Sequence, residues 1–170
     1  MTTTPAVTIA DFDALDAAAA ARTVTVWAAI PRWVDAVVAG RPYGTRAALV
    51  AHADALAREW TALDLDTALA QHPRIGERPQ GSGAEANASR AEQASMASAE
   101  AATATAIAAG NAAYEERFGR VFLIRAAGRS PEELRADLDR RLGNDDETEI
   151  AEALDQLRQI ALLRLEGTVG

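Results

Sequence analysis

The chain has 170 residues, with 17 arginines, no lysine, no cysteine, two histidines and 25 acidic residues, for a formal charge of −8. The missing cysteine excludes disulfides, a thiolate nucleophile and Cys-ligated zinc or iron–sulfur sites, and the missing lysine excludes a Schiff base, a pyridoxal phosphate anchor and a phosphate-loop lysine. The acidic balance argues against a nucleic-acid partner, which needs a basic face, but a local arginine can still serve a small anionic ligand.

A chain of this length suits one domain with a single core. No stretch approaches the ~20 apolar residues of a membrane span, Met1 to Asp16 lacks the basic start of a signal peptide, and Gly167 to Gly170 is no peroxisomal address. A soluble cytoplasmic protein is expected, with a flexible tail over residues 1–9 and one domain over 10–170. The alanine- and arginine-heavy composition suggests a bacterial origin in a GC-rich genome. Of the 49% hydrophobic residues about half are alanine, 42 in all, so close helix packing has to substitute for bulk. Alanine is the best helix former and strand-type alternation is scarce. The fold class expected is all-α, a compact single-domain bundle of about seven to eight helices.

In chain order, Asp11 to Arg22 reads as a helix capped by Asp11 or Asp13. Pro31 suits the first position of a helix through Trp33, Val34 and Val37 that stops near Gly40, and Thr45 caps one through Leu49, His52, Leu56 and Trp60. A shorter helix over Leu65 to Gln71 ends at the His72-Pro73 step, and Pro73 to Gly83, with two prolines and three glycines, is irregular. Ser89 to Phe118 reads as one long helix stopped by Gly119, followed by a buried extended run from Val121 to Ile124. Ser130-Pro131-Glu132-Glu133 is the capped, acidic start of a helix ending at Gly143. The last helix spans Asp145 to Glu166, with Gly167 as its stop.

Three places carry polar groups that helix packing does not call for. Arg164 is fourteen residues beyond Ile150 and falls within ~40° of it, inside the apolar stripe of Ile150, Ala153, Leu154, Leu157 and Ala161. It must snorkel, pair with an acid or hold an anionic ligand, unless it is simply a last-turn cation favouring the helix dipole. Ser89, Glu92 and Gln93 share one helix face. Spacing alone favours a capping box for Ser89 and Glu92, which leaves Gln93 unexplained. His72 precedes a proline, so it is expected at a helix end facing the glycine-rich loop, and it is the default acid/base candidate. His52 reads as an ordinary helical residue, and two histidines without cysteine make a poor transition-metal set.

Six short motifs then occur in order: His72-Pro73-Arg74-Ile75-Gly76; Ser89-x-x-Glu92-Gln93; Asn111-x-x-Tyr114-x-x-Arg117-Phe118-Gly119 with Phe122-Leu123-Ile124; Gly128-Arg129-Ser130; Arg141-Leu142-x-Asn144; and Ile160-Ala161-x-x-Arg164-Leu165. Together, from about Trp33 to Leu165, the chain resembles the 2-oxo-4-hydroxy-4-carboxy-5-ureidoimidazoline (OHCU) decarboxylases, which finish the conversion of urate to allantoin. The resemblance implies an all-helical domain that needs no cofactor and releases CO2 from a small ureidoimidazoline to give (S)-allantoin. It makes His72 the catalytic acid/base and Glu92 the active-site carboxylate. Pro73, Ser89, Gln93, the backbone of Phe122, Leu123, Ile124, Arg125 and Ala126, and the side chain of Arg164 match substrate-contacting positions. Arg125 stands where many relatives carry a small residue. The resemblance also allows a homodimer.

The chemistry suits the residues. Loss of CO2 leaves an electron pair that this substrate can accept in a ring C=N bond next to its carboxylate. The protein then has to orient the ring and place a proton on one face, tasks within reach of amide and guanidinium donors and one imidazole. Two other classes fit the residues without the resemblance: a noncatalytic helical interaction module, and another cofactor-free lyase or hydrolase acting on a cyclic ureide.

Overall fold

The computed structural model describes residues 7–77, 82–94, 96 and 99–170. Regular structure among them is helical: α1 (Ile9–Ala14), α2 (Ala17–Trp27), α3 (Pro31–Ala39), α4 (Arg46–Ala57), α5 (Ala62–Leu69), α6 (Ala84–Glu92), α7 (Ala101–Phe118), α8 (Pro131–Arg141) and α9 (Asp146–Thr168). The fold is all-α, as expected. Backbone contacts divide the chain into two units, Met1–Ala68 with Arg158–Gly170, and Leu69–Leu157.

In the first unit, helix starts are set by side-chain caps: Thr8 accepts from the Asp11 N–H, Asp16 from Ala19 and Thr45 from Ala48. The single helix expected over Asp11 to Arg22 is therefore two, because Asp16 restarts the helix and neither Asp11 nor Asp13 is a cap. Asp13 instead accepts the backbone N–H groups of Tyr43 and Gly44. Pro31 opens α3 as expected. The core is built on Phe12 and Trp27, ring centroids 5.7 Å apart, and on Trp33 and Trp60, edge to face at 5.4 Å. Val24, Val37, Leu49, Leu65, Leu157's successors Ile160 and Ala161, and Leu165 fill the remaining space. Of the expected tail, residues 1–6 lie outside the described residues, whereas Val7 pairs in parallel with Val169.

The second unit buries Ile75, Ile107, Tyr114, Phe122, Ile124, Leu134 and Leu138 together. Gly110 makes the approach of α8 to α7 possible, since a Cβ there would lie 2.6 Å from Leu138 Cδ2. Ser130 and Glu133 form the expected capping box of α8, and Gly119 ends α7 in the left-handed conformation at φ 68°. The long helix expected over Ser89 to Phe118 is instead two helices, α6 ending at Glu92 and α7 starting at Ala101. These two divisions, here and at Asp16, raise the count to nine among the described residues. Helix α9 runs through Gly167 to Thr168, so that glycine is not its stop. No helix among the described residues is long and apolar enough to cross a membrane.

Candidate active site

His72 lies just past α5 and its N–H donates to the Leu69 carbonyl at 3.1 Å, closing the helix before Pro73 turns the chain away. The residues after it are tied down one by one. The Arg74 guanidinium forks onto the Glu115 carboxylate of α7, with its Nη2 2.9 Å from Oε2. The Ile75 carbonyl accepts from Asn111 Nδ2 at 3.0 Å. Gly76, whose φ of +86° favours glycine, donates its N–H to Gln93 Oε1 at 2.9 Å. The same bond joins the His72 loop to the end of α6, which carries Ser89, Glu92 and Gln93.

Ser89 is only 3% exposed, and Glu92 and Gln93 are half-buried. The capping box that their spacing suggested does not form. Gly83 is the N-cap of α6, six residues before Ser89, and Glu92 is its last residue. A carboxylate at the negative end of a helix opposes the macrodipole. The helix dipole therefore does not account for Glu92. Gln93 is accounted for in part, as the acceptor for Gly76.

The run from Phe122 to Ala126 is irregular and almost wholly buried, with Arg125 half-buried. Three of its backbone groups are held by the protein itself. Arg141 Nη1 donates to the Leu123 carbonyl at 2.7 Å, the Arg125 N–H donates to Gln156 Oε1 at 2.9 Å, and the Ala126 carbonyl accepts from the Arg129 N–H at 3.1 Å. Beneath the run lies an ion pair inside the core, Arg141 at 0% exposure with Glu149 at 2%. Arg141 Nε is 3.0 Å from Glu149 Oε1, Tyr114 donates its hydroxyl to the same oxygen, and Asn144 Nδ2 reaches Oε2 at 2.9 Å. The guanidinium also covers the Phe122 ring at 4.6 Å, and that ring meets Tyr114 edge to face at 5.2 Å. Burial, with the Glu149 carboxylate alongside, pushes the Tyr114 hydroxyl well above its ordinary range.

Arg164 belongs to the other unit. It is 7% exposed, and its Nη1 donates at 2.8 Å to the carbonyl of Val26, one of the otherwise orphaned carbonyls in the last turn of α2. Because α9 continues to Thr168, Arg164 is not a last-turn cation of its own helix. The helix end that it complements is that of α2.

A cavity of about 450 Å³ opens beside the His72 loop, lined by Arg74, Gly76, Met96, Ile107, Asn111 and Glu115 among others. His72, Ser89 and Glu92 are not among its lining residues. It is therefore not assigned to substrate.

Glu149, Gln156 and the roles of Asn111, Tyr114 and Arg141 emerge only in the structure. Glu149 had a signal. At 100° per residue it falls within ~80° of Ala153 and Leu157, on the apolar side of α9, as Arg164 does. Asn111, Tyr114 and Arg141 were visible only as members of motifs. Their side chains prove to be the ones that hold the two irregular segments.

The chain matches the OHCU decarboxylase family over residues 13–166 and belongs to that family. A 2-oxo-4-hydroxy-4-carboxy-5-ureidoimidazoline decarboxylase of Haloferax volcanii is 35% identical over 99 residues, 57% of this chain and 56% of the relative, so the match spans little more than half of that protein. Two solved structures share the fold. An OHCU decarboxylase crystallised in the presence of (S)-allantoin superposes with a TM-score of 0.72 at 24% identity, covering 83% of this chain and 92% of that one. An (S)-allantoin synthase superposes with a TM-score of 0.70 at 19% identity, covering 96% of this chain and 54% of that one.

Proposed function

We propose that the protein decarboxylates 2-oxo-4-hydroxy-4-carboxy-5-ureidoimidazoline to (S)-allantoin and CO2 without a cofactor. The observation that carries the reading is Glu92: a half-buried carboxylate at the unfavourable end of α6, on a helix whose next residue is bonded to the His72 loop. In the reaction the bond to the carboxylate breaks and its electron pair moves into the adjacent ring C=N bond. One proton is taken up overall, and the hydroxyl on the carbon that lost CO2 becomes the carbonyl. His72 delivers the proton to one face of the ring carbon that becomes stereogenic, and Glu92 holds or shares that proton. Ser89, Gln93, Pro73 and the backbone of residues 122–126 orient the ring. The amide nitrogen of Gln93 is available for this, because only its oxygen serves Gly76.

The finer readings follow from the same proposal. Residues 10–170 act as one functional domain, and the protein works in the cytoplasm on a small molecule rather than on nucleic acid. The test is to supply freshly generated OHCU and follow the circular dichroism of the product. The wild-type protein is expected to produce an optically pure (S)-allantoin signal well ahead of spontaneous decay. Glu92→Gln, which keeps the shape and loses the charge, is expected to slow turnover by about 10²-fold, within the range typical of acid–base groups. A racemic product at the uncatalysed rate from wild type would overturn the reading.

A further inference from the structure

We infer that Arg141 is a positioning residue for the reaction, holding the 122–126 backbone in the shape that receives substrate; this rests on the function proposed above. Arg141 touches no solvent, and every direction of its guanidinium is used. Nε and Nη2 face Glu149, Nη1 reaches the Leu123 carbonyl at 2.7 Å, and the flat face covers the Phe122 ring. Two successive residues of the run, 122 and 123, are thus fixed by one side chain, one through its ring and one through its backbone.

Stability alone does not explain such an arrangement. Well-packed apolar replacements of a buried ion pair are often neutral or stabilising, because both charges must be stripped of water. What an apolar pair cannot supply is a donor to a carbonyl in a segment with no helix or strand of its own. The planar guanidinium can bond a carboxylate, bond a carbonyl and stack on a ring at once, whereas a lysine ammonium can occupy only one of these places. The Glu149 carboxylate is itself fixed by Tyr114 of α7 and by Asn144, so the orientation of Arg141 is set from three sides. Tyr114 lies one turn from Asn111, which bonds the Ile75 carbonyl. One helix therefore holds both the loop that carries His72 and, through Glu149 and Arg141, the run from 122 to 126.

The experiment compares wild type, the charge-removing double variant Arg141→Met/Glu149→Leu, and Arg141→Lys, by steady-state kinetics with fresh OHCU and by thermal unfolding. The double variant is expected to keep its helicity and to raise KM about tenfold or more while the pH profile of kcat stays that of wild type, the pattern of lost substrate positioning. If the double variant fails to fold, Arg141→Lys decides, with an expected rise in KM of about fivefold and kcat within about twofold of wild type. Unchanged KM in the folded variant, or an activity loss that follows only the fraction unfolded, would overturn the proposal while leaving the function intact. Absence of turnover by wild type would overturn both.

Discussion

Residues 72–77 and 121–126 are both irregular and both belong to the unit Leu69–Leu157, yet they are held by opposite means. The first is tied by a guanidinium 46% exposed on a carboxylate 27% exposed, and by single amide hydrogen bonds, one accepted by Gln93 and one donated by the buried Asn111. The second rests on a charge pair sealed in the core, with Tyr114 and Asn144 completing the carboxylate's partners. The difference matches their proposed tasks. A segment that must carry a proton donor can tolerate some movement, whereas one that presents backbone groups to a flat ring has to stay in register. It also predicts where damage will spread. Exposed ion pairs contribute little to stability, but a buried charge that loses its partner is strongly destabilising.

The largest effect is expected from Glu149→Ala, which leaves the Arg141 guanidinium unpaired in the core. Chemical denaturation should show a loss of about 3–5 kcal/mol, more than that of the double variant in which both charges are removed. A loss no larger than that of a surface change would erase the distinction between the two segments. Tyr114→Phe comes next: it removes one donor to the buried carboxylate and keeps the ring against Phe122, and a loss of about 1–3 kcal/mol is expected in the same assay. Gln93→Ala should leave the unfolding midpoint close to wild type, because the helix end is half exposed. Hydrogen exchange at the Gly76 amide should accelerate in that variant, and turnover should fall with it.

The smallest effect belongs to the Arg74–Glu115 pair. The hydrogen bond from Arg74 holds the Glu115 carboxyl below its usual range. The contribution is therefore complete above the unfolded carboxyl pKa of about 4.3 and disappears as pH falls through the lower folded value. Glu115→Gln should accordingly change little at neutral pH and flatten the acid limb of the stability profile below about pH 4. A large destabilisation at pH 7 would mean that this loop, too, depends on its charge pair.

Much of the frame is legible in the residues because its signals are local. Pro31, Thr45, Gly119 and the Ser130–Glu133 box each act within one turn, and each stands where expected. The division at Leu15–Asp16 has a local signal in the Asp16 cap, which the helix-forming residues around it masked, whereas the one after Gln93 was not legible, because an alanine-rich stretch has high helix propensity and carries no stop of its own. After Gln93 the break coincides with a tertiary commitment, its side chain being engaged by Gly76 of a distant loop. His72 could be placed from the proline that follows it, and Arg164 from the apolar stripe that it interrupts. Glu149 broke a stripe in the same way, but as an acid in the first turn of α9 it had a sufficient local explanation. The pairing of Arg141 with the Leu123 carbonyl has no sequence signature, since it joins a helix end to an irregular run eighteen residues away.

The central claim is that one imidazole delivers the proton that sets the product's handedness. The most direct test is His72→Asn, folded as judged by helicity, given fresh OHCU and followed by circular dichroism at allantoin wavelengths. The optical signal is expected to disappear and decay to proceed at the spontaneous rate. Optically pure (S)-allantoin formed at the wild-type rate would contradict it.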